Sequence, residues 1–343
     1  MKRILIPLTA IFVLAAVTLS GYFWWKENSK APSTNSEKVR LVIPKGRSAS
    51  QVGEMLKKED LIINPLAFKI YLQINDKAGS IQSGEYSLSQ NLTLSEVVSE
   101  LLKGPSQLWV TIPEGLRKEE VVEKIIAGLE MDSNEAQVFR SDFLKNPEAV
   151  EGYLFPDTYL FPRDVTATLV VKRMRSVFDG QISSEMKDAI SKSDYDLSDI
   201  VTLASMIERE TKTDAERPVV AGILYNRLRI GMALQIDATV QYAVASVNCP
   251  YSETSKSQAV VECENWWPVL TREDLEINSA YNTYKNRDLI PGAIANPGLT
   301  SLEAAVFPES SDYLFYIHDS QGKIHYAETL DGHNQNIRNY LGK

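Results

Sequence analysis

The sequence predicts an α+β fold in which a single N-terminal transmembrane helix precedes two folded domains. The first observation is an uncharged, largely apolar run at residues 4–23. The second is the alternation of short β-rich runs with amphipathic helices after that run. The third is the length of 343 residues with 44% hydrophobic side chains, which is enough for two or three domains with a sizeable core.

The N-terminal run is long enough to span a bilayer, and the aromatic residues at 22–25 resemble an interfacial belt. Residues 1–25 are therefore predicted to be an uncleaved anchor, followed by a flexible polar linker at 26–38. A cleaved signal peptide is the alternative, because small residues near the end of the run could form a cleavage site. The short basic N-terminus predicts a single-pass protein of the cell membrane with its large domain on the periplasmic, extracytoplasmic side.

The charge balance argues against a nucleic-acid partner. There are 36 basic and 45 acidic side chains, so the formal net charge is −9 and no basic surface dominates.

The three histidines lie near the C-terminus without the spacing of metal ligands. The sequence therefore predicts neither a metal site nor a cofactor.

A short pattern occurs twice, as Val-Ile-Pro-Lys-Gly at 42–46 and as Thr-Ile-Pro-Glu-Gly at 111–115. Each copy predicts a strand, a Pro/Gly turn and a helix. Between the copies the pattern predicts a helix near 65–74, a strand at 84–88 and a helix that starts at the capping box of Thr93 and Glu96. These elements form a predicted first domain at 39–106, for which a generic βα unit that packs on the next domain is the simplest interpretation.

The second predicted domain, residues 107–343, is organised around one helix that contains Leu-Ala-Ser-Met-Ile-Glu-Arg-Glu-Thr at 203–211. Glu208 and Glu210 lie about 200° apart around this helix, so one is expected to face solvent while the other is held near the core. A carboxylic acid in a partly dry site has a raised pKa and can act as a general acid near neutral pH. A charged run on a solvated helix face is the alternative.

Other segments of the second domain have weaker signals. Residues 232–242 alternate apolar and polar side chains, which predicts a strand with a polar face. The aromatic and proline-rich segment 152–162 could line a carbohydrate cleft or fill the core. A polar surface excursion is predicted at 245–268, and a β-hairpin followed by a last helix is predicted from residue 313 onward.

Several motifs occur in order. They are Gly-Tyr-Leu-Phe-Pro-Asp-Thr-Tyr at 152–159, Ala-Ser-Met-Ile-Glu-Arg-Glu-Thr at 204–211, Asn-Arg-Leu at 226–228, Met-x-Leu-Gln-x-Asp at 232–237, Tyr-Asn-Thr-Tyr at 281–284 and Pro-Gly-x-Ile-x-Asn-Pro-Gly at 291–298. With the anchor and the first domain, this set closely resembles the YceG-like family of endolytic murein transglycosylases over about residues 40–340. The resemblance implies a LysM-like glycan-binding module at 39–106 and a lysozyme-like transglycosylase catalytic domain at 107–343.

The resemblance also implies an activity: internal cleavage of peptidoglycan between N-acetylmuramic acid and N-acetylglucosamine, leaving 1,6-anhydro ends and using no cofactor. Glu210 matches the family's catalytic acid, which acts first as general acid and then as general base. The candidate substrate-binding residues are Asn226, Gln235, Asp237, Tyr281, Asn282 and Thr283. Peptidoglycan glycan strands are the implied substrate, and a role in ending glycan elongation implies peptidoglycan synthases as partners.

Two other functions fit the same residues. A muramidase-type hydrolase would use Asp237 to hold the attacking water, and its product would lack the anhydro ring. A non-catalytic glycan-binding scaffold for cell-wall synthesis would keep its function without the Glu210 carboxylate.

The two cysteines, Cys249 and Cys263, lie in the predicted excursion. An exported domain allows them to form a disulfide, and two unlinked thiols are the alternative. The bond would close a loop of about 15 residues, for which the chain-entropy model gives roughly 3 kcal/mol. Because the excursion is longer than the family pattern requires, the resemblance does not assign the cleft wall there.

Overall fold

The computed structural model describes residues 2–77, 79–249 and 265–342, and these form a mixed α+β architecture, as predicted. The helices are α1 Lys2–Asn28, α2 Ala49–Lys58, α3 Pro65–Ile74, α4 Leu94–Leu102, α5 Lys118–Gly128, α6 Ser133–Leu144, α7 Ala167–Gln181, α8 Ser184–Ser191, α9 Leu197–Glu210, α10 Arg217–Arg229, α11 Asp237–Asn248, α12 Leu299–Val306 and α13 Leu330–Asn336. The strands are β1 Lys38–Ile43, β2 Gly84–Ser89, β3 Gln107–Thr111, β4 Thr158–Pro162, β5 Phe315–His318 and β6 Ile324–Ala327. One sheet has the order β1-β2-β3-β4, and β5 pairs with β6 in another.

The chain divides into two compact units. The first comprises Met1–Trp109 and Leu160–Asp164, and the second comprises Val110–Tyr159 and Val165–Lys343. In the first unit β1 and β2 pair in antiparallel register. Helices α2, α3 and α4 contribute the rest of its core, in which Leu56, Phe68 and Leu101 are fully buried.

The local signals of the first unit give the predicted elements. The helix α3, the strand β2 and the capping box of α4 form where the sequence places them. Both copies of the repeated pattern form a strand, a turn and a helix. In each copy the glycine has positive φ, 79° at Gly46 and 74° at Gly115, a conformation that glycine adopts without steric cost.

The helix α1 extends five residues beyond the predicted apolar run, to Asn28. Its described part exposes large apolar side chains, including Val17 at 63% and Phe23 at 60%. Within the described residues, no helix combines the length and the apolar character that crossing a membrane requires.

The segment predicted as a flexible linker, residues 26–38, lies against the first unit. The N–H of Ser33 donates to the carbonyl oxygen of Gln90 at 3.2 Å, and the N–H of Leu94 donates to that of Ser29 at 3.1 Å. The polar composition of the segment predicts no apolar packing, but its backbone groups still bond to the turn between β2 and α4.

In the second unit α9 lies at the centre of the core. Its residues Leu203, Ala204 and Ile207 are fully buried, and α10, α11 and α12 pack around it. A capping box of Asp196 and Asp199 starts the helix, and Glu210 is its last residue. Burial along the helix therefore fixes where its last turn places Glu210.

Residues 232–242 do not form the predicted strand. The helix α11 begins at Asp237, and the residues before it form an irregular loop in which Gln235 has a φ of 52°. The alternation reflects this loop, in which the buried Leu234 and Ile236 alternate with the exposed Gln235 and Asp237.

The structure also describes the predicted C-terminal hairpin and the aromatic segment 152–162. The predicted hairpin is confirmed as β5 and β6, with Tyr316 opposite Tyr326. In the aromatic segment, Phe155 is 8% exposed and Tyr159 is 3% exposed, so these two rings fill the core.

Candidate active site

Glu210 lies in a cleft of about 410 Å³ within the second unit. The hydroxyl of Tyr316 on β5 donates a hydrogen bond to Oε2 of Glu210 at 2.8 Å. The other described lining residues are Arg227, Gln235, Asp237, Tyr284, Phe315, Ile317, Leu330 and His333. The C-terminal hairpin and α13 therefore form one part of the cleft, and the loop before α11 forms another.

The surroundings of Glu210 favour its protonated form. Burial of the side chain raises its pKa above the ordinary value for glutamic acid, and the negative charge of Asp237 adds to the rise. The hydrogen bond from Tyr316, one from the backbone of Ala238 and the charge of Arg227 act in the opposite direction without cancelling it. A carboxylic acid of this kind can donate a proton near neutral pH.

This raised pKa predicts the pH dependence of activity. The rate is expected to fall as the pH rises through the pKa of Glu210, because the carboxylate form has no proton to donate. Measurement of kcat/KM from about pH 5 to 9 checks this, since that profile reports the free enzyme. A flat profile over this range would contradict the role of Glu210 as acid.

Replacing Tyr316 is expected to change the pH at which activity falls. The Tyr316 hydroxyl stabilises the ionised carboxylate, so the Tyr316→Phe substitution should raise the pKa of Glu210 further and shift the loss of activity to higher pH. Leu330→Ala is a control, because Leu330 lines the cleft without a titratable or hydrogen-bonding side chain. A shift to lower pH, or an equal shift in the control, would show that the hydroxyl does not stabilise the carboxylate.

Gln235 and Asp237, both predicted from the sequence, line the cleft with Glu210. Oδ1 of Asp237 accepts a hydrogen bond from the Tyr284 hydroxyl at 2.6 Å. The backbone N–H of Gln235 donates to the carbonyl oxygen of Thr283 at 3.1 Å. The positive φ of Gln235 costs about 1–3 kcal/mol in a non-glycine residue, so the surrounding bonds must hold it.

Asn282 and Thr283 are fully buried and are not among the residues that line the cleft, and Thr283 bonds directly to that loop. The hydroxyl of Thr283 accepts a hydrogen bond from the N–H of Ile236 at 2.9 Å. The side-chain amide of Asn282 donates to the carbonyl oxygens of Leu275 and Ile277, both at 2.9 Å. The polar side-chain groups of both residues are thus committed to partners within the protein, and the Thr283 hydroxyl also bonds to that of Thr239 at 2.9 Å.

Asn226 and Tyr281 are also not among the lining residues. The side-chain amide of Asn226 donates to the carbonyl oxygens of Ser311 and Tyr313, at 2.7 and 3.1 Å. The ring of Tyr281 packs on that of Tyr242, with 4.9 Å between centroids. The structure therefore brings two of the six predicted substrate-binding residues to the cleft, and the other four pack around it.

Sequence reasoning missed the lining residues Arg227, Tyr284 and Tyr316. Arg227 and Tyr284 lie within motifs singled out from the sequence, so the motifs pointed to the site but not to the side chain that reaches it. Arg227 is buried and donates its Nε–H to the carbonyl oxygen of Leu314 at 2.6 Å. No local signal marks Tyr316, because its partner Glu210 is 106 residues away in the chain.

The expectation that one of the two acids, Glu208 or Glu210, faces solvent is wrong. The Glu208 side chain is 8% exposed, and its Oε1 pairs with Nη2 of Arg217 at 3.2 Å. Its Oε2 accepts hydrogen bonds from the N–H of Gly298 at 3.1 Å and from the Ser301 hydroxyl at 2.7 Å. The reason is that the start of α12 covers this side of α9, which helical spacing cannot show. Glu208 thus joins three elements beside the last turn of α9.

The predicted excursion at 245–268 is described only at its two ends. Cys249 directly follows α11, whereas Cys263 lies outside the described residues, so the disulfide stays a prediction. At the end of the excursion that is described from residue 265 onward, the Arg209 guanidinium lies 3.7 Å from the ring centroid of Trp267. This cation–π contact ties the end of the excursion to the residue beside Glu210.

Comparison with known proteins places this chain in a family. A family model described as YceG-like matches residues 41–339. The endolytic murein transglycosylase of Bacillus subtilis (strain 168) is 31% identical over 351 aligned positions, which cover 94% of this chain and 91% of that protein. The endolytic murein transglycosylase of Streptococcus pneumoniae (strain D39) is 26% identical, and the match covers 96% of this chain but 64% of that longer protein.

A solved structure is similar as well. The crystal structure of a protein described as YceG-like from Listeria monocytogenes superposes with a TM-score of 0.58 at 30% sequence identity. The match covers 87% of this chain and 98% of that one. Since the family model and the solved structure each match most of the chain, the protein belongs to the YceG-like family.

Proposed function

We propose that the chain is an endolytic peptidoglycan lytic transglycosylase. It cleaves the bond between N-acetylmuramic acid and N-acetylglucosamine within glycan strands and leaves 1,6-anhydro ends. The observation that carries this proposal is the carboxyl of Glu210, with a raised pKa, at the end of a buried helix and on the wall of a cleft. The names of the relatives from Bacillus subtilis and Streptococcus pneumoniae support the substrate class.

In the proposed reaction, protonated Glu210 donates its proton to the glycosidic oxygen as the bond from that oxygen to C1 of N-acetylmuramic acid breaks. The C6 hydroxyl of the same sugar then attacks C1 and returns its proton to Glu210. One carboxyl suffices, because the nucleophile is part of the substrate and positioning replaces a second acid. No water enters the product.

The neighbours of Glu210 match the charges that this reaction generates. When Glu210 has given up its proton, the Tyr316 hydroxyl and the positive charge of Arg227 stabilise the carboxylate. Asp237 lies in the same cleft, where its negative charge would favour the oxocarbenium-like centre at C1. The Tyr284 hydroxyl holds that carboxylate in place.

Mass spectrometry of digested peptidoglycan tests the proposal. Purified protein is expected to release long glycan fragments whose new ends are lighter by one water than hydrolysed ends. Predominant release of free disaccharides would identify an exo-acting enzyme instead. Reducing ends in place of anhydro ends would contradict transglycosylation.

Asp237 supports a second candidate, a muramidase-type hydrolase, because it places a second carboxylate in the cleft of Glu210. Glycoside hydrolysis commonly uses two carboxyl groups that flank the scissile bond. Digestion in ¹⁸O-labelled water separates the two reactions, since only hydrolysis places the label in the new end. We expect no label in the product.

We further propose that residues 1–25 anchor the protein in the cell membrane, with the folded units on the periplasmic side. The apolar run and the aromatic residues that follow it support this placement. Residues 39–106 would serve as a LysM-like module that holds glycan strands for a lysozyme-like catalytic domain at 107–343. Peptidoglycan synthases are the proposed partners, since cleavage of nascent strands would end their elongation.

A further inference from the structure

The C-terminal end of α1 packs on α3 within the first unit. The rings of Trp25 and Tyr71 stack with 6.1 Å between centroids and 7° between planes. Nearer the end of α1, the side-chain amide of Asn64 donates to Oδ1 of Asn28 at 2.9 Å. Asn28 therefore contacts the residue at the start of α3, whereas Trp25, which is earlier in α1, contacts Tyr71 further along α3. The two helices run in opposite directions, and the residues before Trp25 point toward the C-terminal end of α3.

That end of α3 carries an exposed apolar side chain. Ile74 is 75% exposed, although it ends a helix whose other face is fully buried at Phe68 and Leu72. Residues three apart are neighbours on a helix surface, so Ile74 lies beside Tyr71, on the side of α3 that α1 contacts. A single exposed isoleucine needs no explanation, but this one adjoins the end of α1 from which more apolar surface extends.

The apolar surface continues along α1. Tyr22 and Phe23 are each 60% exposed, and they precede Trp25 by two or three residues. Tyrosine and tryptophan at the end of a membrane helix prefer the headgroup layer. If Trp25 lies at that depth, then Tyr71 lies at the same depth, and Ile74 lies about 4.5 Å closer to the hydrocarbon along α3.

We infer that the Ile74 end of α3 inserts into the interfacial layer of the bilayer that holds α1. This inference rests on the proposed membrane anchor. The occupant of the exposed surface is a lipid surface, because the same side of the unit presents the apolar residues of α1. Lys77 is exposed just beyond Ile74, where its ammonium group can meet anionic headgroups.

Such a contact would give the first unit two attachments to the membrane. One is α1, and the other is the end of α3, fixed to α1 by the Trp25–Tyr71 stack and the Asn64–Asn28 hydrogen bond. A module held at two points would keep one orientation at the membrane surface. A module on a flexible linker would sample many orientations.

Leu66 provides a matched control on the same helix. It is 55% exposed and lies eight residues before Ile74, so the two side chains are about 80° apart around α3. The two positions are separated by about 12 Å along the helix axis, with Leu66 at the end away from the proposed bilayer. Because both side chains are exposed, replacing either one leaves the core of the unit intact.

Photo-crosslinking of the full chain tests the inference. A benzophenone side chain replaces Val17, Leu66 or Ile74, and each protein is reconstituted in vesicles of phosphatidylcholine and phosphatidylglycerol. Val17, which is 63% exposed, reports on α1 itself. After irradiation, mass spectrometry is expected to find lipid adducts at positions 17 and 74 and no adduct above background at position 66.

The other outcomes overturn the inference in distinguishable ways. A lipid adduct at 17 without one at 74 would leave the anchor in place and refute the contact of α3. No adduct at 17 would refute the anchor itself. Equal lipid adducts at 66 and 74 would show that α3 lies flat on the membrane, and an adduct of 74 to a second copy of the chain would identify a protein interface instead.

Discussion

The Glu210→Gln substitution is expected to reduce formation of anhydro ends by about 10²–10⁴-fold, the contribution typical of a general acid. Glutamine keeps the shape of the side chain and can still bond to Tyr316, but it has no proton to donate. Initial rates on purified peptidoglycan, with anhydro ends counted by mass spectrometry, give the measurement.

The same variant is expected to keep its fold and to become slightly more resistant to unfolding at alkaline pH. Because the folded-state pKa of Glu210 is raised, its contribution to stability is present below the unfolded pKa and is lost as pH rises through the folded pKa. Glutamine never ionises, so the variant avoids this loss. Inactivity without a lowered melting temperature would identify a chemical role, whereas full activity would refute the assignment and favour the glycan-binding scaffold.

The Asp237→Asn variant serves as the comparison, since it changes the other carboxylate of the cleft and also keeps its shape. For a transglycosylase we expect a smaller loss of rate than for Glu210→Gln, because Asp237 only assists electrostatically. A loss as large as that of Glu210→Gln, together with ¹⁸O in the product, would favour the hydrolase.

The elements of the first unit could be predicted because their signals are local. The capping box at Thr93, the proline that starts α3 and the glycine turns each act over four or five residues. In the second unit, the same kind of signal predicted α9 and the C-terminal hairpin. It failed for the loop before α11, where the hydroxyl of Thr283 holds the N–H of Ile236 from 47 residues away.

The candidate site also depends on contacts between residues that are far apart in the chain. Glu208 and Glu210 have the same chemistry and nearly the same sequence neighbours, so only tertiary contacts distinguish them. Arg217 and α12 hold the first, while Tyr316 and the cleft surround the second. The resemblance to the family selected Glu210, and the structure supplies the physical difference between the two acids.

The Glu208→Ala substitution is therefore expected to be strongly destabilising. Removing one partner of a buried ion pair typically costs about 3–5 kcal/mol, because the other charge is left without full compensation. Here Arg217 keeps its pair with Asp214, so we expect about 3 kcal/mol, the lower end of that range, in urea unfolding.

Glu123→Ala provides the control in the same unit. Glu123 pairs with Arg140 at 2.8 Å, but its side chain is 46% exposed, so loss of the pair should cost only about 0.2–1 kcal/mol. If Glu208→Ala cost no more than this control, the bonds from Glu208 to α12 would not be holding the helices together.

Combining Glu208→Ala with Arg217→Met separates the buried charge from the packing. If the cost of the single variant comes mainly from an uncompensated guanidinium, the destabilisation of the double variant should be smaller than the sum of those of the two single variants.

Glu208→Ala should also lower kcat, because the last turn of α9 loses its bonds to Gly298 and Ser301. The alkaline limb of its pH profile should stay in place, since Glu208 positions the acid and does not donate the proton.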